Sequence, residues 1–98
     1  MQAAQALKIG VVGAGAMGRG IVQLFAQAGH TVWCFDTQAG AADKAVAYVD
    51  SMLAKLVDRG RLTADALAQI RTHLHAATAL ADLAGCDVVV EAIVENLE

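Results

Sequence analysis

Three glycines stand close together after a short apolar run and before a segment of helical periodicity, in the stretch Gly13-Ala14-Gly15-Ala16-Met17-Gly18. The first glycine suits a tight turn, the second lets a ligand approach the backbone, and the third permits close packing of a helix on a strand. A helix that begins here presents unpaired N–H groups and a partial positive charge, which together attract a phosphate. In this context the pattern predicts a loop that binds the pyrophosphate of a dinucleotide.

The residues after the third glycine argue against a nucleoside triphosphate site. A Walker loop requires a lysine followed by serine or threonine at this point, whereas the chain continues with Arg19-Gly20. Two interpretations of Arg19 stay open, namely a contact with phosphate and a solvated helix residue.

Asp36 is the second residue that could do chemistry. It ends a β-prone run about 20 residues after the glycines, where a carboxylate accepts hydrogen bonds from the hydroxyls of an adenosine ribose. Its charge would repel a 2′-phosphate, and the following Thr37-Gln38-Ala39-Gly40 offers no basic residue to hold one. The sequence therefore favours NAD over NADP. The alternative for Asp36 is a helix N-cap.

The elements that must position these residues alternate between strands and helices. Apolar runs predict strands at 7–12, 31–36, 75–78 and 87–93. The strand at 31–36 is expected in the interior of a sheet covered by helices on each side. The strand at 75–78 is a weaker candidate, and the strand at 87–93 is expected to be strongly buried. Helical spacing predicts a helix over 15–28, a long helix from 42 to a stop at Gly60, a shorter helix capped by Thr63, and a helical turn at 79–84. The first helix would bury the apolar residues Met17, Ile21, Leu24, Phe25 and Ala28. This order predicts an α/β fold, a Rossmann-type parallel sheet with flanking helices.

Length and composition limit the alternatives. The 98 residues allow one small domain, and the net charge of −3 argues against a nucleic-acid partner. No apolar run approaches the length of a membrane span, and the first residues do not resemble a targeting signal, so we expect a cytoplasmic protein without membrane contact. Cys34 and Cys86 are expected to be reduced apolar residues, and no metal site is expected.

These motifs resemble those of the 3-hydroxyacyl-CoA dehydrogenase family, including bacterial 3-hydroxybutyryl-CoA enzymes of fatty acid β-oxidation. The resemblance spans nearly the whole chain and rests on residues 9–21, on 28–32 leading to Asp36, and on 87–98, the most specific stretch. The segment Lys55 to Thr63 resembles a helical excursion that this family inserts after its second strand. Related 3-hydroxyisobutyrate dehydrogenases lack such an excursion.

The resemblance implies roles for individual residues. Gly13, Gly15, Ala16, Met17 and Gly18 would lie against the pyrophosphate of NAD. Asp36 would hold the adenosine ribose. Ala92, Ile93 and Val94 would flank the dinucleotide at the end of the last strand, and Glu95 would lie near the nicotinamide-side ribose. The residues alone favour another interpretation, in which Ala92 to Val94 are core and Glu95 is a solvated acid.

The resemblance also implies an acyl-CoA substrate that touches the helical excursion. Ser51, Lys55 and Arg59 are the candidates for contacts with the CoA phosphates or adenine. Lys55 and Arg59 lie four residues apart on one helix face, a spacing that is also typical of a solvated surface.

The family's reaction oxidises a 3-hydroxyacyl-CoA to a 3-ketoacyl-CoA by hydride transfer to the nicotinamide. The resemblance implies that the family's catalytic histidine and glutamate would lie beyond Glu98. A helical dimerisation domain would follow them. We therefore expect residues 1–98 to be the N-terminal portion of a Rossmann domain from a longer, homodimeric enzyme, with an incomplete sheet and no activity alone. Two alternatives stay open, a stand-alone NAD-binding or regulatory module and an NADP-linked β-hydroxyacid dehydrogenase.

Overall fold

The computed structural model describes residues 6–93, in which strands and helices alternate along the chain. In chain order these elements are β1 (Lys8–Val12), α1 (Ala16–Gln27), β2 (Thr31–Phe35), α2 (Ala41–Asp58), α3 (Ala64–Thr72), β3 (Leu74–Ala76), a 3-10 turn (Leu80–Leu83) and β4 (Val88–Glu91). The element order agrees with the order expected from the apolar patterns.

The four strands form one parallel sheet in the order β3-β2-β1-β4. The chain leaves β1 toward β2 and β3 on one side, then returns to place β4 on the other side of β1. The direction of winding thus changes between β1 and β4. Open parallel sheets bind ligands beyond the carboxyl ends of the strands at such a point.

The core lies between one face of this sheet and the helices. Ile9 and Val11 of β1 are buried beside Val32 and Cys34 of β2, because paired residues of parallel strands point to the same face. The helices contribute Val22, Ala26, Val49 and Leu53 to the same cluster. Each large aliphatic side chain buried here stabilises the fold by about 1.5–3 kcal/mol.

The helix ends follow the sequence signals. Gly29 and Gly60 have φ angles of 97° and 72°, so both predicted stops use the left-handed backbone that glycine adopts without strain. The hydroxyl of Thr63 accepts a hydrogen bond of 3.0 Å from the N–H of Ala66, which confirms Thr63 as the N-cap of α3.

Two expectations about burial are wrong. Met17 and Leu24 of α1 are 53% and 67% exposed and Ala28 is exposed as well, because the buried face of this helix passes through Gly18, Val22 and Ala26 instead. The strand expected to be strongly buried is also largely exposed, with Val88 and Val89 at 42% and 50%. Within the described residues β4 pairs only with β1, so it lies at an edge of the sheet.

Among the described residues α1 and α2 pack on one face of β2, whereas helices were expected on both of its sides. On the second face of the sheet Trp33 stacks on His75 of β3 with ring centroids 4.4 Å apart. Leu83 of the 3-10 turn packs over Gly10, where the Cβ of any larger residue would lie only 2.8 Å from that leucine side chain. The cysteines are as expected, since both are free thiols, Cys34 buried and Cys86 half-buried. Between residues 6 and 93, none of the helices has both the length and the apolar character of a membrane span.

Candidate dinucleotide-binding site

A groove of about 260 Å³ lies beyond the carboxyl ends of β1, β2 and β4. Its lining combines the glycine loop, the residues after β2 and the residues after β4, namely Val12, Gly13, Ala14, Gly15, Asp36, Thr37, Ala92 and Ile93. Gly13, Gly15 and Asp36 therefore meet in one groove at the change of winding direction, although the sequence singled out the glycines and the carboxylate separately.

Gly13 makes the turn that opens the groove. Its φ of 113° lies in the left-handed region, and a Cβ at this position would lie 2.8 Å from the carbonyl oxygen of Ala92. The N–H of Gly13 donates to the carbonyl of Phe35 at 2.8 Å, and the N–H of Ala92 donates to Val12 at 2.8 Å. Both the backbone conformation and the contact with the β4 segment require glycine here.

Gly18 lets α1 lie close to this turn. A Cβ on Gly18 would lie 1.8 Å from the carbonyl oxygen of Gly13, an approach that no side chain permits. Gly18 is buried behind the loop and does not line the groove, so its contribution is the packing predicted from the fingerprint.

Neither the backbone conformation nor the surrounding protein atoms require glycine at position 15. A Cβ at this position would have no atom within 4 Å, and its φ of −75° is open to any residue. Gly15 also lines the groove. The absence of a side chain therefore leaves room for a group that approaches the backbone from outside, as a pyrophosphate does.

The N-terminus of α1 is free to bind an anion. Its N-cap is Gly15, which supplies no capping side chain, and the first turn holds no acidic residue. The first intrahelical hydrogen bond runs from the N–H of Arg19 to the carbonyl of Gly15 at 2.9 Å. The N–H groups of Ala16 and Met17 precede that bond, so they are among the unpaired donors of a helix N-terminus.

Asp36 lies directly beside this loop. One carboxylate oxygen accepts a hydrogen bond of 2.8 Å from the N–H of Ala14, and the other accepts one of 2.8 Å from the N–H of Gln38. Gly40 and not Asp36 is the N-cap of α2, so the alternative of Asp36 as a helix cap does not hold. The pKa of the Cys34 thiol, two residues away, is raised to about 11. The main cause is burial of the thiol, and the negative charge of Asp36 adds to it.

The segment after β4 closes the groove on its other side. Ala92 is 3% exposed and Ile93 is 63% exposed, so the first packs under the loop while the second faces the groove. Val94 and Glu95, the remaining two predicted cofactor contacts, lie outside the described residues. Val12 and Thr37 also line the groove, although no motif of the sequence pointed to them. Their only signal is that each directly neighbours a predicted residue, Gly13 and Asp36.

The residues predicted to contact CoA lie elsewhere. Ser51, Lys55 and Arg59 are exposed at or beyond the middle of α2, and none of them lines the groove. Arg19 is not a solvated helix residue, because it is half-buried and its guanidinium lies 4.1 Å from the ring centroid of Tyr48 on α2. Arg19 therefore links α1 to α2 by a cation–π contact.

Comparison with known proteins places these features in a family. The family model described as 3-hydroxyacyl-CoA dehydrogenase, NAD binding domain, matches residues 8–98. The chain is 41% identical over 91 residues to 3-hydroxybutyryl-CoA dehydrogenase of Clostridioides difficile. The aligned region covers 93% of this chain and 32% of that protein. It is 37% identical over 90 residues to 3-hydroxyadipyl-CoA dehydrogenase of Escherichia coli, covering 92% of this chain and 19% of that protein.

A solved structure shows the same fold. The crystal structure of (S)-3-hydroxybutyryl-CoA dehydrogenase from Ralstonia eutropha superposes with a TM-score of 0.85 at 37% identity. The match covers 94% of this chain and 32% of that one. The chain thus spans about a third or less of the length of these relatives.

Proposed function

The chain belongs to the 3-hydroxyacyl-CoA dehydrogenase family by its NAD-binding domain, and we propose that it holds NAD in the groove beyond β1, β2 and β4. The observation that carries the proposal is the open space beside Gly15 at an uncapped helix N-terminus. Asp36 lies at the same groove. An anion-binding helix end next to a carboxylate matches a ligand that has a diphosphate next to a ribose.

Different residues of the groove would bind different parts of the cofactor. The N–H groups at Gly15, Ala16 and Met17 would bind the pyrophosphate, while Gly13 and Gly18 shape the loop. Asp36 would accept hydrogen bonds from the adenosine ribose hydroxyls, and Ala92 and Ile93 would flank the dinucleotide. Val94 and Glu95 remain proposed contacts. The Asp36 carboxylate disfavours the 2′-phosphate of NADP by charge repulsion.

We propose that the whole protein oxidises a 3-hydroxyacyl-CoA to a 3-ketoacyl-CoA. The bound nicotinamide supplies the hydride acceptor, and the hydroxyl proton must pass to a general base. No residue of this chain is assigned that role. Ser51, Lys55 and Arg59 are proposed to bind the CoA moiety from the exposed face of α2, and the whole protein is proposed to be a homodimer.

Filling the space beside Gly15 tests the cofactor site. Gly15→Val is expected to fold normally, because a Cβ there meets no protein atom within 4 Å. It should weaken NADH binding, measured by titration calorimetry, by at least about tenfold, because it blocks the close approach of the pyrophosphate. Gly20→Ala is the matched control, since Gly20 is also exposed on α1 with nothing within 4 Å. Unchanged NADH binding by a folded Gly15→Val protein would rule out this site.

Cofactor choice is tested separately by titrating the unaltered protein with NADH and with NADPH. We expect NADH to bind at least about tenfold more tightly, because the 2′-phosphate would be placed against the Asp36 carboxylate. Tighter binding of NADPH would contradict the role proposed for Asp36 and favour an NADP-linked enzyme.

A further inference from the structure

The carboxylate of Asp36 joins two loops without any ligand. Its Oδ2 atom accepts from the N–H of Ala14 in the glycine loop at 2.8 Å, and its Oδ1 atom accepts from the N–H of Gln38 in the β2–α2 loop at 2.8 Å. The preceding pair of residues is joined through the backbone, since the N–H of Gly13 donates to the carbonyl oxygen of Phe35 at 2.8 Å. Two consecutive amides of the glycine loop are thus attached to two consecutive residues at the end of β2.

We infer that Asp36 is a positioning residue for the pyrophosphate loop as well as a ligand of the ribose. This inference rests on the proposed NAD site and deepens it. The bond to Ala14 is partly buried, and hydrogen bonds to a charged acceptor are stronger than those between neutral groups. Asp36 therefore holds Ala14, and with it the adjoining Gly15, in place before a cofactor arrives. A loop that is already ordered loses less entropy when it binds.

The two roles can coexist on one side chain. A carboxylate offers about four acceptor positions on its two oxygens, and the two amides occupy one position on each. The remaining lone pairs are free for the ribose hydroxyls. A substitution that removes the carboxylate to admit a 2′-phosphate would also release the pyrophosphate loop, so such a change alone should yield a weak binder of both cofactors.

The two roles are separated by pairing a protein variant with a ligand variant. We would measure the affinity of ADP and of 2′,3′-dideoxy-ADP for the unaltered protein and for Asp36→Ala. Dideoxy-ADP keeps the diphosphate but lacks the ribose hydroxyls, so weaker binding of it by Asp36→Ala would report the loop-holding role, because loss of the negative charge alone would strengthen the binding of an anion. Asp43→Ala is the control for charge, because Asp43 is an exposed acid in the first turn of α2. Folding is checked by circular dichroism.

We expect Asp36→Ala to bind dideoxy-ADP about tenfold more weakly than the unaltered protein, the size expected from the loss of charge-assisted hydrogen bonds. Asp43→Ala should bind dideoxy-ADP nearly as tightly as the unaltered protein. Equal affinity of Asp36→Ala and the unaltered protein for dideoxy-ADP would overturn the inference, because Asp36 would then act through the ribose alone. If Asp36→Ala does not fold, Asp36→Asn replaces it, since one amide oxygen can keep only part of the acceptor pair.

A second measurement needs no ligand. Hydrogen exchange of the Ala14 amide, followed by NMR, should be faster in Asp36→Ala than in the unaltered protein, and unchanged in Asp43→Ala. An unaltered exchange rate at Ala14 in Asp36→Ala would also overturn the inference. If the unaltered protein binds no ADP at all, the proposed NAD site fails, while the exchange rate still shows whether Asp36 holds the loop.

Discussion

Gly13, Gly15 and Gly18 are one residue type in three different surroundings. Gly13 needs its positive φ, Gly18 needs the absence of a Cβ because α1 touches the turn, and Gly15 borders open space. The first two requirements come from the protein itself and concern folding. Only the open space at Gly15 points to a ligand. Substitutions at the three positions should therefore separate effects on stability from effects on binding.

Gly18→Ala should destabilise the protein, because its Cβ would lie 1.8 Å from the carbonyl oxygen of Gly13. Forced contacts of this kind cost roughly 1–3 kcal/mol. Thermal unfolding should show a lower Tm, and calorimetry a weaker affinity for NADH, since the turn must move. Gly20→Ala in the same helix should instead raise the Tm, because alanine favours a helix by about 0.5–1 kcal/mol over glycine. Equal effects of the two substitutions would show that α1 does not press on the turn.

Among the elements, the 3-10 turn between β3 and β4 depends on one carboxylate. Asp82 accepts hydrogen bonds from the N–H groups of Ala79 and Thr78 and from the Thr78 hydroxyl. These bonds, with that of Ala79 first, lower the pKa of Asp82 below its ordinary value. The neighbouring Leu83 packs on Gly10 of β1, so the turn covers part of the second sheet face.

Because the pKa of Asp82 is lowered in the folded protein, its stabilising effect is complete above the ordinary carboxyl pKa, about 4. It is lost as the pH falls through the lower, folded value. Asp82→Ala should therefore reduce the Tm by a few degrees at pH 7, and the difference should shrink as the pH approaches 2. Thermal unfolding followed by circular dichroism measures both. A difference that grows on acidification would contradict the role given to Asp82.

The identity and order of the elements could be predicted because their signals are local. The glycine loop, the stops at Gly29 and Gly60 and the cap at Thr63 depend on neighbouring residues, and the structure has all of them. The exposure of Val88 and Val89 on β4 could not be predicted from the apolar run itself, since such a run looks the same at an edge and in the interior of a sheet. The bond between Asp36 and Ala14 could not be predicted either, because it joins residues that meet only after β1 and β2 pair.

The positions of the three histidines in the whole molecule decide whether one of them could act as the general base. The groove lies beyond the carboxyl ends of the strands, whereas His30 and His73 directly precede β2 and β3 at the opposite edge. His75 stacks on Trp33 on the face of the sheet. None of these histidines lies where it could take a proton from a substrate bound beside the dinucleotide.

We therefore predict that the 98-residue chain binds NADH but does not oxidise 3-hydroxybutyryl-CoA. The absorbance of NADH formed from NAD and this substrate measures the reaction. The expected rate equals that of a control without protein. Oxidation that increases with the amount of the chain, and that Gly15→Val abolishes, would contradict this prediction, since it would require a general base among these residues.

The most direct test of the site follows the backbone amides themselves. In ¹⁵N-labelled protein titrated with NADH, the amide resonances of Gly15, Ala16 and Met17 should shift the most, because their N–H groups are the proposed pyrophosphate ligands. The amides of His30 and His73, at the opposite edge of the sheet, should stay nearly unchanged. Stationary resonances at Gly15 to Met17 under saturating NADH, or the largest shifts at the opposite edge, would contradict the proposed pyrophosphate site.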